Sequence, residues 1–513
     1  MKKLIRTPLI FILMAMYSCQ STETPSQERL PNIVVIYADD LGYGDVGAYG
    51  ATEIKTPNID RLAMGGQRFT DGYASSATCS PSRYALLTGT YPWRNENAKI
   101  LAGTAPLLID TAQMTLAKML RAQGYSTAVI GKWHLGLGNG DVNWNEHIAP
   151  GPNEVGFDYA FIMSATQDRV PTVYIKNGRV VNLDPSDPIM VDYNQNFEGE
   201  PTGLDNPELT TLKWHHGHNN SIVNGIPRIG FMKGGESAKW NDEEMADTFL
   251  NEAKKFVNEH QDRPFFLYYA LQQPHVPRTP HTRFQGASGM GPRGDAIVEA
   301  DWCLGELVKT LEDLGLAEHT MIIFSSDNGP VLNDGYYDDA IEKLGKHTPS
   351  GPLRGGKYSL FQAGTRVPFI SYWPGNIEPG VSNALISQMD LMASFASLTK
   401  ANIDATDSKN MLDVLMGKSD AGREALILEA TSRTALRKGN WMMIPPYIGP
   451  AIVHDVNIEI GNDQQYQLYN LEEDIGEQHN LAASDSAMLK DMIATYKEII
   501  GDNQPEIEQL ELK

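Results

Sequence analysis

The segment Cys79-Ser80-Pro81-Ser82-Arg83 runs into Tyr84-Ala85-Leu86-Leu87-Thr88-Gly89 and places a thiol one residue before an expected helix start. Pro81 suits a first helical turn, where its missing N–H costs nothing and its φ is already helical. A side chain at that end meets free N–H groups and the positive end of the helix dipole, both of which favour an anion. Two readings fit the segment alone: a low-pKa thiol nucleophile at Cys79, or a structural cysteine.

Two pairs of oxygen donors stand apart from it in sequence. Asp39-Asp40 and Asp327-Asn328 each follow an apolar run. Adjacent acids after a strand are commonly turn or cap residues. As a set, four hard oxygen donors without an imidazole suit Ca²⁺ or Mg²⁺ rather than zinc. Lys132, Lys357 and Arg83 are the available cations, and His134 and His275 the proton-transfer groups. Singly, each of these side chains in a loop is ordinary solvated surface.

What sets them apart is the elements that carry them. Asn32-Ile33-Val34-Val35-Ile36-Tyr37-Ala38 is a β-branched run of the kind buried on both faces of a parallel sheet, and it delivers Asp39-Asp40. Met321–Ser326 delivers Asp327-Asn328-Gly329. Ser126–Ile130 delivers Gly131-Lys132-Trp133-His134, and Pro264–Ala270 delivers Gln272, Gln273, Pro274 and His275. In open α/β sheets, ligands bind at the carboxyl ends of the strands. Helical patterns fall between these runs: Leu116, Met119 and Leu120 before Gly124, then Glu243–Val257, then Ile297–Leu314. The predicted fold is α/β: a large, doubly wound, mixed or parallel sheet flanked by helices. A smaller C-terminal α+β subdomain follows, with an antiparallel sheet built from short runs at 426–428, 434–436, 441–444 and 467–471 and closed by a helix over 487–500. Residues 135–240, rich in Pro, Gly, Asn and Asp, read as a loop layer over the site.

The chain has 513 residues and a formal charge of −22. That charge argues against nucleic acid, which requires a basic stripe, so an anionic substrate needs a local positive pocket. Lys2, Lys3 and Arg6 precede an apolar stretch, Leu9–Met16, too short to span a bilayer. Met16-Tyr17-Ser18-Cys19 resembles a degenerate bacterial lipoprotein box with Cys19 as the lipidated residue. The expected organisation is a signal peptide at 1–18, a polar linker at 19–30, a catalytic domain at 31–405 and a C-terminal subdomain at 406–513. The expected location is the periplasm or the cell surface of a Gram-negative bacterium, with a lipid anchor as the one membrane contact. Cys303, the third cysteine, falls in an amphipathic helix as a buried thiol, and no disulfide framework follows.

Cys-x-Pro-Ser-Arg with Leu-Thr-Gly downstream resembles the signature of type I sulfatases, in the alkaline phosphatase superfamily. Gly131–Gly136, Pro274–Pro277 and Ser326–Pro330 are similar to further motifs of that family. The resemblance runs from Asn32 to Asp474. It implies that a formylglycine-generating or anaerobic maturase enzyme oxidises Cys79 to formylglycine, whose hydrated gem-diol is the nucleophile. It implies one Ca²⁺ held by Asp39, Asp40, Asp327, Asn328 and the group made from Cys79. Attack on sulfur, aided by Asp327, would give a covalent sulfo-enzyme, with His275 and Lys357 protonating the departing oxygen. His134 would then release sulfate by taking the second hydroxyl proton, while Lys132 and Arg83 hold the modified residue. Gln362-Ala363-Gly364 departs from the family's Glu-Gly-Gly, leaving the support of Lys357 or Arg366 open.

The implied substrate is a sulfated carbohydrate. Segments 153–159, 167–169 and 215–218 are similar to carbohydrate sulfatases acting on galactose-type sugars. Asp168, Arg169, His215 and His218 are the candidate sugar contacts, and a terminal 4-O-sulfate on galactose or N-acetylgalactosamine is the expected target. Two alternatives remain, one a second enzyme reading and one in a different class. One is a phosphatase or phosphodiesterase of the same superfamily, which Asn328 disfavours because a two-zinc site wants histidine there. The other is a non-catalytic binder of sulfated glycans.

Overall fold

The computed structural model describes residues 29–404 and 407–501. The expected signal peptide, Cys19 and the 405/406 boundary therefore lie outside the described residues. From Pro31 onward the chain forms one compact unit.

The organising element is a ten-stranded sheet. Its strands in chain order are β1 (Asn32–Ala38), β2 (Gln67–Phe69), β3 (Ser126–Lys132), β4 (Tyr159–Met163), β5 (Ile175–Lys176), β6 (Arg179–Val180), β7 (Phe265–Ala270), β8 (Thr320–Ser326), β9 (Phe369–Tyr372) and β10 (Gly380–Ser382). Their spatial order is β10-β2-β9-β8-β1-β7-β3-β4-β5-β6. The central five, β8-β1-β7-β3-β4, are parallel, and β9 and β5 flank them antiparallel. Register aligns their carboxyl ends: Ala38 pairs with Ser326, Ala270 with Gly131, and Lys132 with Met163. One sheet edge therefore receives every polar group that the strands deliver.

Alternation along β1 assigns its two faces. Val34, Ile36 and Ala38 join the core beneath helices α4 (Met245–Glu259) and α5 (Gly291–Asp313). Tyr37 points the other way. It hydrogen-bonds Gln388 and lies under the guanidinium of Arg83 at 5.4 Å. Arg83 belongs to α2 (Cys79–Thr88), which follows α1 (Pro57–Gly65) in the chain and packs with α3 (Leu116–Ala122) and with a helix over Leu391–Thr399.

The predicted strands carrying Asp39, Lys132, His275 and Asp327 are found within a residue or two of the expected bounds. The loop-layer reading of 135–240 needs correction. Tyr159–Met163 is a parallel strand of the main sheet, and its polar neighbours hid a short buried run. Short hairpins account for much of the remainder. The C-terminal sheet, β11 (Ala425–Ala430), β12 (Arg433–Lys438), β13 (Trp441–Ile444) and β14 (Gln467–Asn470), is an antiparallel meander backed by the helix Ser486–Ile500. It packs on Tyr73, Ala77 and Ala85, the segment that leads into and through α2. Ser76 also bridges directly to Glu429 of β11.

Candidate active site

Cys79 is the first residue of α2 rather than the residue before it, with Pro81 still inside the first turn. Every residue of that helix is buried. Cys79 Sγ sits 3.7 Å from Asp39 Oδ1. Burial pushes the thiol upward, and the neighbouring Lys132 cation does not offset this. The low-pKa thiolate expected from the helix terminus is therefore not what this pocket makes. At this buried position, desolvation outweighs the dipole.

The carboxylates are interleaved with cations. Arg83 directs Nε (3.1 Å) and Nη2 (2.7 Å) onto Asp327 Oδ2, while its Nη1 donates to Lys132 O and the Tyr268 hydroxyl, each at 3.2 Å. Lys132 Nζ donates to Asp39 Oδ2 at 2.6 Å. Lys357 Nζ bridges Asp40 Oδ2 and Asp334 Oδ2, both at 2.9 Å. Burial opposes ionisation of Asp327, but Arg83 and Lys132 prevail and hold its carboxyl at about 2. Asp39 goes the other way: burial, then the Asp327 charge, push its carboxyl well above the usual range. Two acids this close share their cations unequally.

Several backbone features hold this arrangement. Gly131 has φ +110, and a Cβ there would lie 1.8 Å from Ala270 O, so only glycine passes between β3 and β7 just before Lys132. Asp40 (φ 62) and His134 (φ 52) both occupy the left-handed region, which is strained for side chains other than glycine. His134 Nε2 donates to Leu101 O at 2.9 Å, leaving Nδ1 buried with no hydrogen-bond partner. Burial, then Lys132, push that imidazole well below its ordinary value, so Nδ1 carries a lone pair. His275 Nδ1 donates to Val276 O at 2.7 Å and turns Nε2 toward Asp40 Oδ2, 3.7 Å away. Burial, then Lys357, lower His275 to about 4.

The oxygen donors of Asp39, Asp40 and Asn328 fit a hard cation, although the structure also brings the His275 imidazole beside them, which the four-oxygen expectation did not include. Ligating atoms of Asp39, Asp40, Cys79 and His275 lie within 4.8 Å of one another. Asn328 Nδ2 donates to Asp40 Oδ1 at 2.7 Å, which fixes the amide and leaves Oδ1 buried with no partner. A buried carbonyl oxygen without a protein partner, on an amide bonded to the Asp40 carboxylate, is the kind of donor that Ca²⁺ or Mg²⁺ takes.

Cys79, His134, His275 and Lys357 open onto a cavity of about 810 Å³. Asp168 and His218 line it, joined by His218 Nε2 to Asp168 Oδ2 at 2.9 Å, as does Arg169, whose Nη1 lies 2.6 Å from Thr166 Oγ1. His215 is not on the cavity wall. Its ring packs at a tilt against both His216 and Tyr337, and His216 takes the wall position instead. Tyr193, Asp334, Glu429, Thr431 and Ser432 also line the cavity and were not singled out by sequence. Asp334 had a local signal, an acid shortly past Asp327-Asn328-Gly329-Pro330. The absent acid at Gln362 is replaced from elsewhere: Asp334 supports Lys357, and Asp71 pairs with Arg366 at 3.0 Å.

Residues 31–401 match the family model described as Sulfatase. An N-acetylgalactosamine-6-O-sulfatase of Bacteroides thetaiotaomicron is 51% identical over 467 residues, covering 90% of this chain and 91% of the relative. Human arylsulfatase A is 31% identical across 92% of this chain and 87% of its own. A solved Bacteroides thetaiotaomicron sulfatase, from work on its metabolism of multiple glycosaminoglycans, superposes with a TM-score of 0.91 at 50% identity, covering 92% of this chain and 99% of its own.

Proposed function

This chain belongs to the sulfatase family and is a sulfuric ester hydrolase, and from that premise we propose that it removes the 6-O-sulfate from N-acetylgalactosamine in sulfated glycans. The 51% identity to an enzyme named for that position supports 6-O over the 4-O position expected from sequence. The observation that carries the reading is the clustering of Asp39, Asp40, Cys79 and His275, with Cys79 and His275 on the wall of a cavity large enough for a sugar.

In this reading Cys79 is converted to formylglycine, which supplies an oxygen nucleophile in place of the high-pKa thiol. Ca²⁺ at Asp39, Asp40, Asp327 and Asn328 supplies charge stabilisation for oxyanions. Arg83 holds Asp327, and Lys132 holds Asp39, the carboxylate beside residue 79. Lys357, kept charged by Asp334 and Asp40 against its burial, faces the departing oxygen with a proton. His275 stays neutral until the sulfate's negative charge enters beside it. His134 Nδ1, with its free lone pair, accepts the proton that resets the site for the next turnover. Asp168, Arg169 and His218 hold the sugar, since buried hydroxyls need paired polar groups. We include export in this proposal, with residues 1–18 as signal segment and Cys19 as a lipid anchor. Mass spectrometry of the Cys79 peptide, joined to turnover of defined sulfated monosaccharides, tests it. An aldehyde at residue 79 and release of sulfate from the 6-O-sulfated sugar are expected. A modified protein that leaves every sulfated sugar intact would reject it.

A further inference from the structure

Strands β11 and β12 pair Ala430 with Arg433, so the hairpin turns on two residues, Thr431 and Ser432. Both lie in the left-handed region, with φ 50 and 66. Positive φ at both central positions is the type I′ geometry, which favours Asn-Gly or Gly-Gly. A β-branched threonine is among the worst residues to place there. The strained turn is not on a remote surface: Glu429, Thr431 and Ser432 all line the cavity that holds Cys79. Strain kept at a cavity wall is a pointer to function.

The turn is clamped from both sides. Glu429 Oε1 accepts from Ser432 N at 2.5 Å, and its other oxygen accepts from the Ser76 hydroxyl, three residues before Cys79. Ala77 N donates to Glu429 O at 2.8 Å, and Glu429 N to Ser75 O at 3.2 Å. Arg433 Nη2 donates to Tyr358 O and to Thr431 Oγ1, both at 3.0 Å. The Thr431 hydroxyl also donates to Ala430 O at 2.7 Å, so its polar capacity is spent inside the protein. Ser432 is the cavity-lining hydroxyl of the turn that these bonds leave for a ligand.

We propose that the Thr431–Ser432 turn is a specificity element of this sulfatase, with the Ser432 hydroxyl contacting a polar substituent of the sulfated sugar and Glu429 acting as the positioning residue that sets the turn against the Cys79 segment. This rests on the sugar-sulfatase reading above. The C-terminal subdomain thereby completes the sugar site rather than merely bracing the catalytic domain.

Ser432→Gly separates a functional role from a structural one, because glycine suits φ 66 and relieves strain while the hydroxyl is lost. The expected result is a KM for the sulfated sugar raised roughly tenfold, with kcat little changed, the thermal midpoint unchanged or higher, and inhibition by inorganic sulfate unaltered. Glu429→Gln should shift KM in the same direction while preserving inhibition by sulfate. Unchanged KM in Ser432→Gly, or a fall in kcat and thermal midpoint together, would overturn the proposal. Wild type and variants are assayed on 6-O- and 4-O-sulfated N-acetylgalactosamine and galactose. Wild-type inactivity on the 6-O-sulfated N-acetylgalactosamine alone rejects the substrate assignment, and the turn is then judged on whichever sulfated sugar is cleaved. Inactivity on all of them rejects both.

Discussion

Arg83 Nε and Nη2 converge on a single oxygen of Asp327, at 3.1 and 2.7 Å, with both side chains fully buried. The second oxygen of Asp327 accepts from the backbone N of Asp40 at 3.2 Å. One carboxylate thus ties α2 to the ends of β8 and β1. Asp327→Asn should leave the buried Arg83 charge with only the more distant Asp39 carboxylate, 3.9 Å away. Activity is expected to fall at least about a hundredfold, and stability by about 3 kcal/mol. Turnover assays and urea unfolding of the same preparation check both, and unfolding at the wild-type midpoint would contradict the account.

Asp334 acts through Lys357. With Asp334→Asn, Lys357 keeps only Asp40 as a charged partner. We expect kcat to fall roughly tenfold and the alkaline limb of the kcat profile to move to lower pH, because one of the two acids holding the ammonium charged has gone. A wild-type alkaline limb would show that Lys357 does not titrate in the rate-limiting step.

Cation removal is informative because the Asp39 and Asp40 carboxylates cluster together and the Asn328 oxygen, on an amide bonded to Asp40, has no protein partner. Chelator should abolish turnover and lower the thermal midpoint, and Ca²⁺ should restore both. At a hundredfold excess over Kd the ion contributes about 2.7 kcal/mol of stability. Asp40→Asn should blunt that difference, and identical melts in chelator and in Ca²⁺ would exclude a structural cation here.

Glu477 predicts a pH effect remote from the chemistry. It is fully buried, its Oε2 accepts from Gln362 N at 2.8 Å, and its Oε1 has no partner. Burial raises it from 4.5 to about 8, against the pull of Arg354 and Arg366. The folded state therefore holds a proton that the unfolded state gives up. This contribution to stability is complete below about 4.5 and is lost as pH rises through about 8. Melts of the wild type should weaken across that window by on the order of a few kcal/mol, and those of Glu477→Gln should be flatter. Parallel slopes for the two proteins would refute the assignment.

Sequence went furthest where structure is local. The β-branched run at 32–38 was enough to identify a doubly buried strand, because few other structures tolerate it. The acids placed directly after two such runs were legible as a site because a parallel sheet collects its carboxyl ends on one edge. Pro81 within the first turn fixed the helix bearing Cys79. The motif resemblance supplied the chemistry that spacing alone left open at that cysteine.

Tertiary structure decided everything that depends on what meets what. The Cys79 thiol is raised rather than lowered because desolvation is a property of the assembled pocket, not of the helix end. His216 lines the cavity while His215, its neighbour in sequence, does not. Asp334 stands in for the acid missing at Gln362. The Thr431–Ser432 turn reaches Cys79 across some 350 residues of chain through Ser76 and Glu429. Local propensity can specify a strand, a cap or a turn, since those energies come from neighbours in the chain. Which charges share a pocket, and which loop closes it, is set by long-range packing, where contacts between distant segments outweigh local preference.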